Sequence, residues 1–252
     1  MLYQFYAHPP KPPLGGFDPL PKKGSNSPRG PRPEYSLTAR RLRQDKGKAL
    51  KDKRIPPISD LYERLADRYI SDRPGVPWNE QPWLDRFLSR LPETRRVLDL
   101  GCGTGAPIGM YLLDHSCAMT GVDTSPTLIN HCRKHSPQAT WLVADMRRLS
   151  LGMKFDGLIA WDSFFHLSHG DQRNMFRVFE EHAAPGALLM FTSGAEHGEA
   201  IGEYHGEPLY HASLAPEEYE SLLDRHGFRV IEHVVEDPSC GAHTVWLARH
   251  VS

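Results

Sequence analysis

From about residue 59 onward, apolar and polar positions alternate between two rhythms. Short, nearly unbroken apolar runs at 95–100, 119–122, 140–143, 155–160 and 187–192 read as strands buried on both faces. Between them, apolar residues recur at helical spacing. The stretch 60–70 puts Leu61, Tyr62, Leu65 and Tyr69 on one face behind Ser59 as N-cap, and 80–91 carries Trp83, Leu84, Phe87 and Leu88. Further helices are predicted from Pro107 (Ile108, Tyr111, Leu112), over 125–135 (Leu128, Ile129, Cys132) and over 171–183. Strands alternating with helices predict a parallel sheet covered on both faces. The rhythm changes near the end, where a helix over 216–227 precedes two apolar runs at 229–235 and 244–248. The loop Asp237-Pro238-Ser239-Cys240-Gly241 is too short for a parallel crossover, so this closing pair must be antiparallel. The expected fold is α/β: a doubly wound, seven-stranded sheet, mostly parallel with an antiparallel closing strand. Residues 193–213 show neither rhythm and are expected to form a long functional loop.

The first apolar run breaks at Gly101-Cys102-Gly103-Thr104-Gly105, and a helical pattern resumes at once. Strand, glycine turn and helix open a nucleotide-binding βαβ unit, since glycines turn tightly and let a ligand approach the main chain. Asp123 ends the next strand, 22 residues after Gly101, where a ribose hydroxyl needs an acceptor. Gly101, Gly103 and Ala106 also satisfy a dinucleotide pattern. However, Gly105 makes the run G-x-G-x-G, and Asp99 places a carboxylate two residues before it. That charge suits a ligand with cationic groups and disfavours a pyrophosphate.

Residues 97–105 (Val-Leu-Asp-Leu-Gly-Cys-Gly-Thr-Gly) followed by Gly121-Val122-Asp123 resemble the cofactor site of class I S-adenosylmethionine-dependent methyltransferases. The resemblance covers roughly 58–251 and implies a Rossmann-like sheet with S-adenosylmethionine as cofactor. It implies cofactor contacts at Asp99, Gly101, Cys102, Gly103, Asp123, Thr124, Asp145, Met146, Trp161 and Asp162, with Tyr69 covering the site. In that family an acid at the position of Asp145 accepts from the adenine amino group while its neighbour packs on the ring. Asp145 as a plain cap of the turn holding Arg147 and Arg148 is the alternative. Rival readings are an NAD-type oxidoreductase and a non-catalytic S-adenosylmethionine- or RNA-binding module.

The segment Trp161-Asp162-Ser163-Phe164-Phe165-His166-Leu167-Ser168-His169 follows the fourth strand, where a ligand at the carboxyl ends of the strands meets the chain next. It lacks the Asn/Asp-Pro-Pro-aromatic sequence of enzymes that methylate base amines, and the Pro-Cys nucleophile of cytosine ring methylation. A small-molecule methyl acceptor is therefore expected rather than a nucleic acid. His166 is the candidate general base, since an imidazole titrates near neutrality. His169, Tyr204, His205, Tyr210 and His211 are candidates for the acceptor pocket. His166 and His169 lack the adjoining glutamate of a zinc helix, so no metal is expected.

Charge is distributed unevenly. Residues 1–57 carry a net +9 and 11 of the 22 prolines, whereas the remainder carries −10. The first segment is expected to be a disordered basic, proline-rich tail, with 58–252 as the methyltransferase domain. A polybasic arm for RNA, DNA or a membrane surface is the alternative for that tail, as is an over-extended start. An acidic domain is poorly suited to gripping a phosphate backbone. Four cysteines with no C-x-x-C pairing, no membrane-length apolar run and no signal-peptide core point to a cytoplasmic protein, monomer or homodimer.

Overall fold

The structure, a computed structural model, describes residues 57–76 and 78–251. The expected tail over 1–56 lies outside the described residues. The chain enters through two short helices, α1 (Ile58–Arg64) and α2 (Ala66–Asp72), followed by a 3-10 turn, Arg73–Gly75. The single helix predicted over 60–70 is thus broken at Leu65, where φ is −103° and ψ is 11°. Helix α3 (Gln81–Leu88) then buries Trp83, Leu84, Phe87 and Leu88, the face its apolar spacing predicts.

Strand β1 (Arg96–Leu100) leads through the glycine turn to α4 (Ile108–Asp114) and β2 (Ala118–Asp123). Helix α5 (Pro126–His135) is capped by the Ser125 side chain, which accepts from the Leu128 N–H, and β3 (Thr140–Val143) follows. Strand β4 (Phe155–Ala160) leads to α6 (His169–His182), capped by Ser168, and then β5 (Ala183–Ser193). Pro185-Gly186 was expected before this strand but lies inside it; the pairing with β4 skips from Phe155↔Ala183 to Gly157↔Leu188 there.

Residues 193–213 do not form the expected loop. They hold a hairpin, β6 (Gly198–Tyr204) and β7 (Glu207–Ser213), joined by His205-Gly206 with φ of 50° and 81°. Two positive φ values at a two-residue turn give the reversal that matches the strands' twist. After α7 (Pro216–Arg225), the antiparallel pair β8 (Phe228–Asp237) and β9 (His243–His250) closes the sheet. The seven strands run β3-β2-β1-β4-β5-β9-β8, all in one direction except β9, which is antiparallel to both its neighbours; a mostly parallel sheet with an antiparallel closing strand is what the residue pattern predicts.

Two large clusters sandwich the sheet. One gathers Phe164, Phe176, Phe179, Phe191, Tyr219 and Trp246. The other holds Trp83, Phe87, Met119, Trp141, Met190 and Leu247. Each such fully buried side chain contributes ~1.5–3 kcal/mol. A third cluster is far smaller: Leu61, Tyr204 and Leu209 are buried between α1–α2 and the hairpin, with Ile58, Tyr62, Leu65 and Tyr69 packed on them. It forms a roof over the carboxyl ends of the strands.

Candidate functional site

Strand β1 connects to β2 and β3 on one side, while β4 and β5 lie on its other side. The connections diverge between β1 and β4, which opens a crevice at the carboxyl ends of the strands. A cleft lies there. Its floor comes from the strand tips: Gly101 and Gly103 after β1, Asp123 and Thr124 after β2, Asp145 to Arg147 after β3, Asp162, Ser163 and His166 after β4. Its roof comes from Ile58, Ser59, Tyr62 and Tyr69.

The glycine turn is shaped by close approach as well as by conformation. Gly101 and Gly103 have φ of 80° and 54°, which side chains rarely adopt. A methyl at Gly101 would overlap the Ser163 Cβ, and one at Gly103 would stand 3.2 Å from the Tyr69 ring and hydroxyl. Asp123 is fixed beside this turn: its carboxylate accepts the Gly103 N–H at 3.0 Å and the Ser125 N–H at 2.9 Å. Burial pushes its carboxyl pKa up, and these N–H groups oppose the shift. Asp145 caps the 3-10 turn Met146–Arg148 by accepting the Arg147 N–H, and it also lines the cleft. The Arg147 guanidinium clamps the Asp145 carboxylate, with a shortest N–O distance of 2.6 Å, and holds its pKa below the usual range.

Asp99, Cys102 and Trp161 are buried and are not among the cleft-lining residues. Asp99 lies under the turn, where burial and then the Asp123 charge raise its carboxyl to about 7. Cys102 sits beside Cys132, whose thiol donates to the Gly103 carbonyl at 3.3 Å. Trp161 packs its ring against His243, 5.2 Å between centroids.

His166 lies at the junction of floor and roof and is 8% exposed. Its Nδ1 donates to the Tyr210 carbonyl at 2.9 Å, and a carbonyl can only accept. That fixes the tautomer, so Nε2 carries the lone pair that accepts from the Tyr62 hydroxyl at 3.1 Å. Burial lowers the imidazole pKa, leaving a neutral base at neutral pH. His211 packs 4.8 Å away, and its pKa falls to about 3 through burial and then the His166 charge.

The other acceptor-pocket candidates hold the hairpin in place. His169 Nε2 donates to the Gly198 and Ser213 carbonyls at 3.1 and 3.0 Å. Tyr204 and His205 both meet the Asp72 carboxylate, at 2.9 and 2.6 Å. The Tyr210 hydroxyl donates to Glu199 at 2.7 Å. None of these four lines the cleft.

Glu63, Tyr62, Arg147 and Ser163 were absent from the predicted site. Glu63 ties α1 to the floor by accepting from the Ser125 hydroxyl and from Thr127 Oγ1 at 2.8 Å. Only the helical spacing of Tyr62 and Tyr69 signalled that roof. Among the described residues no group of three or more His, Cys, Asp and Glu side chains is placed to hold a metal, and no helix is long and apolar enough to cross a membrane.

This architecture matches known proteins. Residues 97–186 match the family described as a methyltransferase domain. The fold matches 1,6-didemethyltoxoflavin-N1-methyltransferase of Burkholderia thailandensis with a TM-score of 0.59 at 17% identity, over 80% of this chain and 93% of that one. The described residues thus share the α/β fold of that methyltransferase. Among curated relatives, it is 31% identical over 108 residues to a dTDP-3-amino-3,4,6-trideoxy-alpha-D-glucopyranose N,N-dimethyltransferase of Streptomyces venezuelae, covering 42% of this chain and 45% of that protein. It is 28% identical over 152 residues to an O-methyltransferase of Pyrenophora dematioidea, covering 56% of each. The chain spans about half the length of these curated relatives.

Proposed function

We propose that the protein transfers a methyl group from S-adenosylmethionine to a small-molecule acceptor. The observation that carries this reading is the pairing of two acids on adjacent strand tips, Asp123 after β2 and Asp145 after β3, with the glycine turn in one cleft. The donor set fits a nucleoside. Asp123, already pinned by two N–H groups, accepts from the ribose hydroxyls, and Asp145 and Met146 take the base edge and face. Gly101 and Gly103 leave room where any side chain would fill the cradle. Asp99 and Cys102 support the turn from below, Thr124 borders Asp123, and Trp161 backs Asp162. Solved structures with this fold include complexes with S-adenosylmethionine and S-adenosylhomocysteine, which supports the cofactor assignment.

Bound there, the cofactor supplies a methyl group on a sulfonium, activated for displacement. Tyr69 and Tyr62 exclude water from above, and holding the reactants in line lowers the barrier by ~7–11 kcal/mol. His166 Nε2 accepts the acceptor's proton where it carries one, directly or through the Tyr62 hydroxyl that already faces it. Neutral at working pH and held by the Tyr210 carbonyl, the imidazole is poised as a base.

The amino-sugar N,N-dimethyltransferase among the curated relatives named above supports a small-molecule acceptor. Four free, buried cysteines suit a reducing compartment, and we place the enzyme in the cytoplasm as monomer or homodimer. Equilibrium dialysis of the full chain against S-adenosylmethionine, S-adenosylhomocysteine and NADH tests the reading. Uptake of the first two is expected; preference for NADH overturns it. Asp123→Ala should weaken S-adenosylmethionine binding by ~1–3 kcal/mol, because ribose hydroxyls lose their acceptor. Unchanged affinity in a folded variant removes Asp123 from the site.

A further inference from the structure

The β4 tip carries a charge pair that neither the base nor the nucleoside acids account for. Asp162 lines the cleft in the left-handed region, with φ of 48°, a conformation that Asp and Asn tolerate better than most residues. Its N–H donates to Thr192 Oγ1 at 2.9 Å. Behind it stands His243, the first residue of β9, from the closing antiparallel pair and outside the matched 97–186 segment. His243 Nε2 donates to both Asp162 oxygens, at 3.0 and 3.2 Å, and Nδ1 donates to the Cys240 carbonyl at 2.6 Å. Both ring nitrogens therefore face acceptors, the arrangement of an imidazolium. Trp161 covers the ring. The Asp162 side chain keeps 26% exposure, against 13% for His243.

We propose that His243 is a positioning residue that keeps the Asp162 carboxylate ionised and fixed, so that this end of the cleft prefers a cationic ligand to its neutral counterpart. The inference rests on the S-adenosylmethionine reading. With base at Asp145 and ribose at Asp123, the sheet order β3-β2-β1-β4 runs the ligand's charged end toward Asp162. A sulfonium is attracted by a fixed carboxylate in a site screened from water; the thioether left after transfer is not. The pair would thus hold the donor and release the spent product.

Charged and titratable groups around Asp162 are His243 from β9, Arg73 from the turn after α2, and His166; Asp162 acts in turn on His211 of β7. The His243 imidazole is raised to about 11, and Asp162 is held below the usual carboxylate range despite its burial. Without the imidazolium, burial is opposed only by the more distant Arg73 and His166, and the carboxyl pKa rises.

Calorimetric titration with S-adenosylmethionine and S-adenosylhomocysteine from about pH 6 to about pH 9 tests this on three full-length proteins. In His243→Gln, S-adenosylmethionine affinity should fall about tenfold or more at the acid end and recover at the alkaline end, with S-adenosylhomocysteine changed less than about threefold. Asp162→Asn, neutral at every pH, should lose the same discrimination without recovery. Asp99 titrates in this window in all three proteins, so each variant is read as a ratio to wild type. Equal losses of both ligands with no pH signature overturn the proposal, while the cofactor reading survives. Failure of the wild type to bind either nucleoside removes both. Should His243→Gln not fold, nitrogen-15 spectra of the wild-type imidazole decide: both nitrogens protonated at about pH 8 supports the assignment, and a neutral ring refutes it.

Discussion

The floor and roof of the cleft are built on different principles. The floor is the edge of a sheet with apolar clusters on both faces, and its functional groups are fixed by backbone: a glycine turn, strand ends, and N–H groups that pin Asp123. The roof rests on three buried apolar residues and a set of polar ties. Those ties are Glu63 to α5, Tyr204 and His205 to Asp72, Arg64 to Glu207 at 3.6 Å, and His169 to both hairpin strands. Exposed ion pairs of this kind contribute little each. The contrast teaches that the floor is held as firmly as the domain itself, whereas the roof is a lightly held layer free to differ.

The sharpest way to break this comparison truncates one leucine in each region. Leu158→Ala, in the sheet, should lower global stability by ~2–5 kcal/mol in urea unfolding. Leu209→Ala, in the roof, should leave the midpoint nearly unchanged while amide exchange accelerates in 58–72 and 198–213. A global loss equal to that of Leu158→Ala would show that roof and floor unfold as one. Next in size is Gly101→Ala, which forces an unfavourable φ and a clash with Ser163. It should cost ~1–3 kcal/mol of stability and abolish nucleoside binding, read by thermal melting and dialysis.

The smallest effect concerns the roof's buried histidine. His211 has a folded pKa near 3 against an ordinary 6.5, so the unfolded chain binds the extra proton between those values. Its contribution is therefore complete above about pH 6.5 and is lost as pH falls toward about 3. His211→Asn should flatten the decline in stability between about pH 6.5 and about pH 5 by ~1–2 kcal/mol, measured by urea titration. An unchanged slope would mean that the ring is protonated without penalty.

Much of the floor was legible because its chemistry is local. Apolar runs gave β1 to β5, and the glycine turn and Asp123 fall within one βαβ unit, so spacing alone aligned them. The short 237–241 loop forced the antiparallel close. The roof was not legible, for a physical reason. Strand β6 buries only Tyr204, while β7 buries polar His211 and Ser213 beside Leu209 and Ala212, and the pair carries Gly198, Gly202 and Pro208, so no alternating apolar pattern marked them. Within the hairpin itself the usable signal was His205-Gly206, a residue pair suited to a two-residue turn. His169, Tyr204, His205 and Tyr210 were expected in the acceptor pocket, and the structure gives their polar groups to the hairpin's own attachment. Likewise, no local pattern could connect His166 to the Tyr210 carbonyl or Asp162 to His243, 81 residues away.

The roof is stitched from the two flanks of the domain: Tyr62 meets His166 across 104 residues, and Asp72 meets Tyr204 across 132. Closing spans of that length carries an entropic penalty that only already folded neighbours can offset. During synthesis α1 and α2 can therefore hold only to α5, through Glu63, until the hairpin has left the ribosome. The enclosed chamber is a late product of folding, so a chain that stops short of the hairpin has the floor's sequence but no room in which to use it.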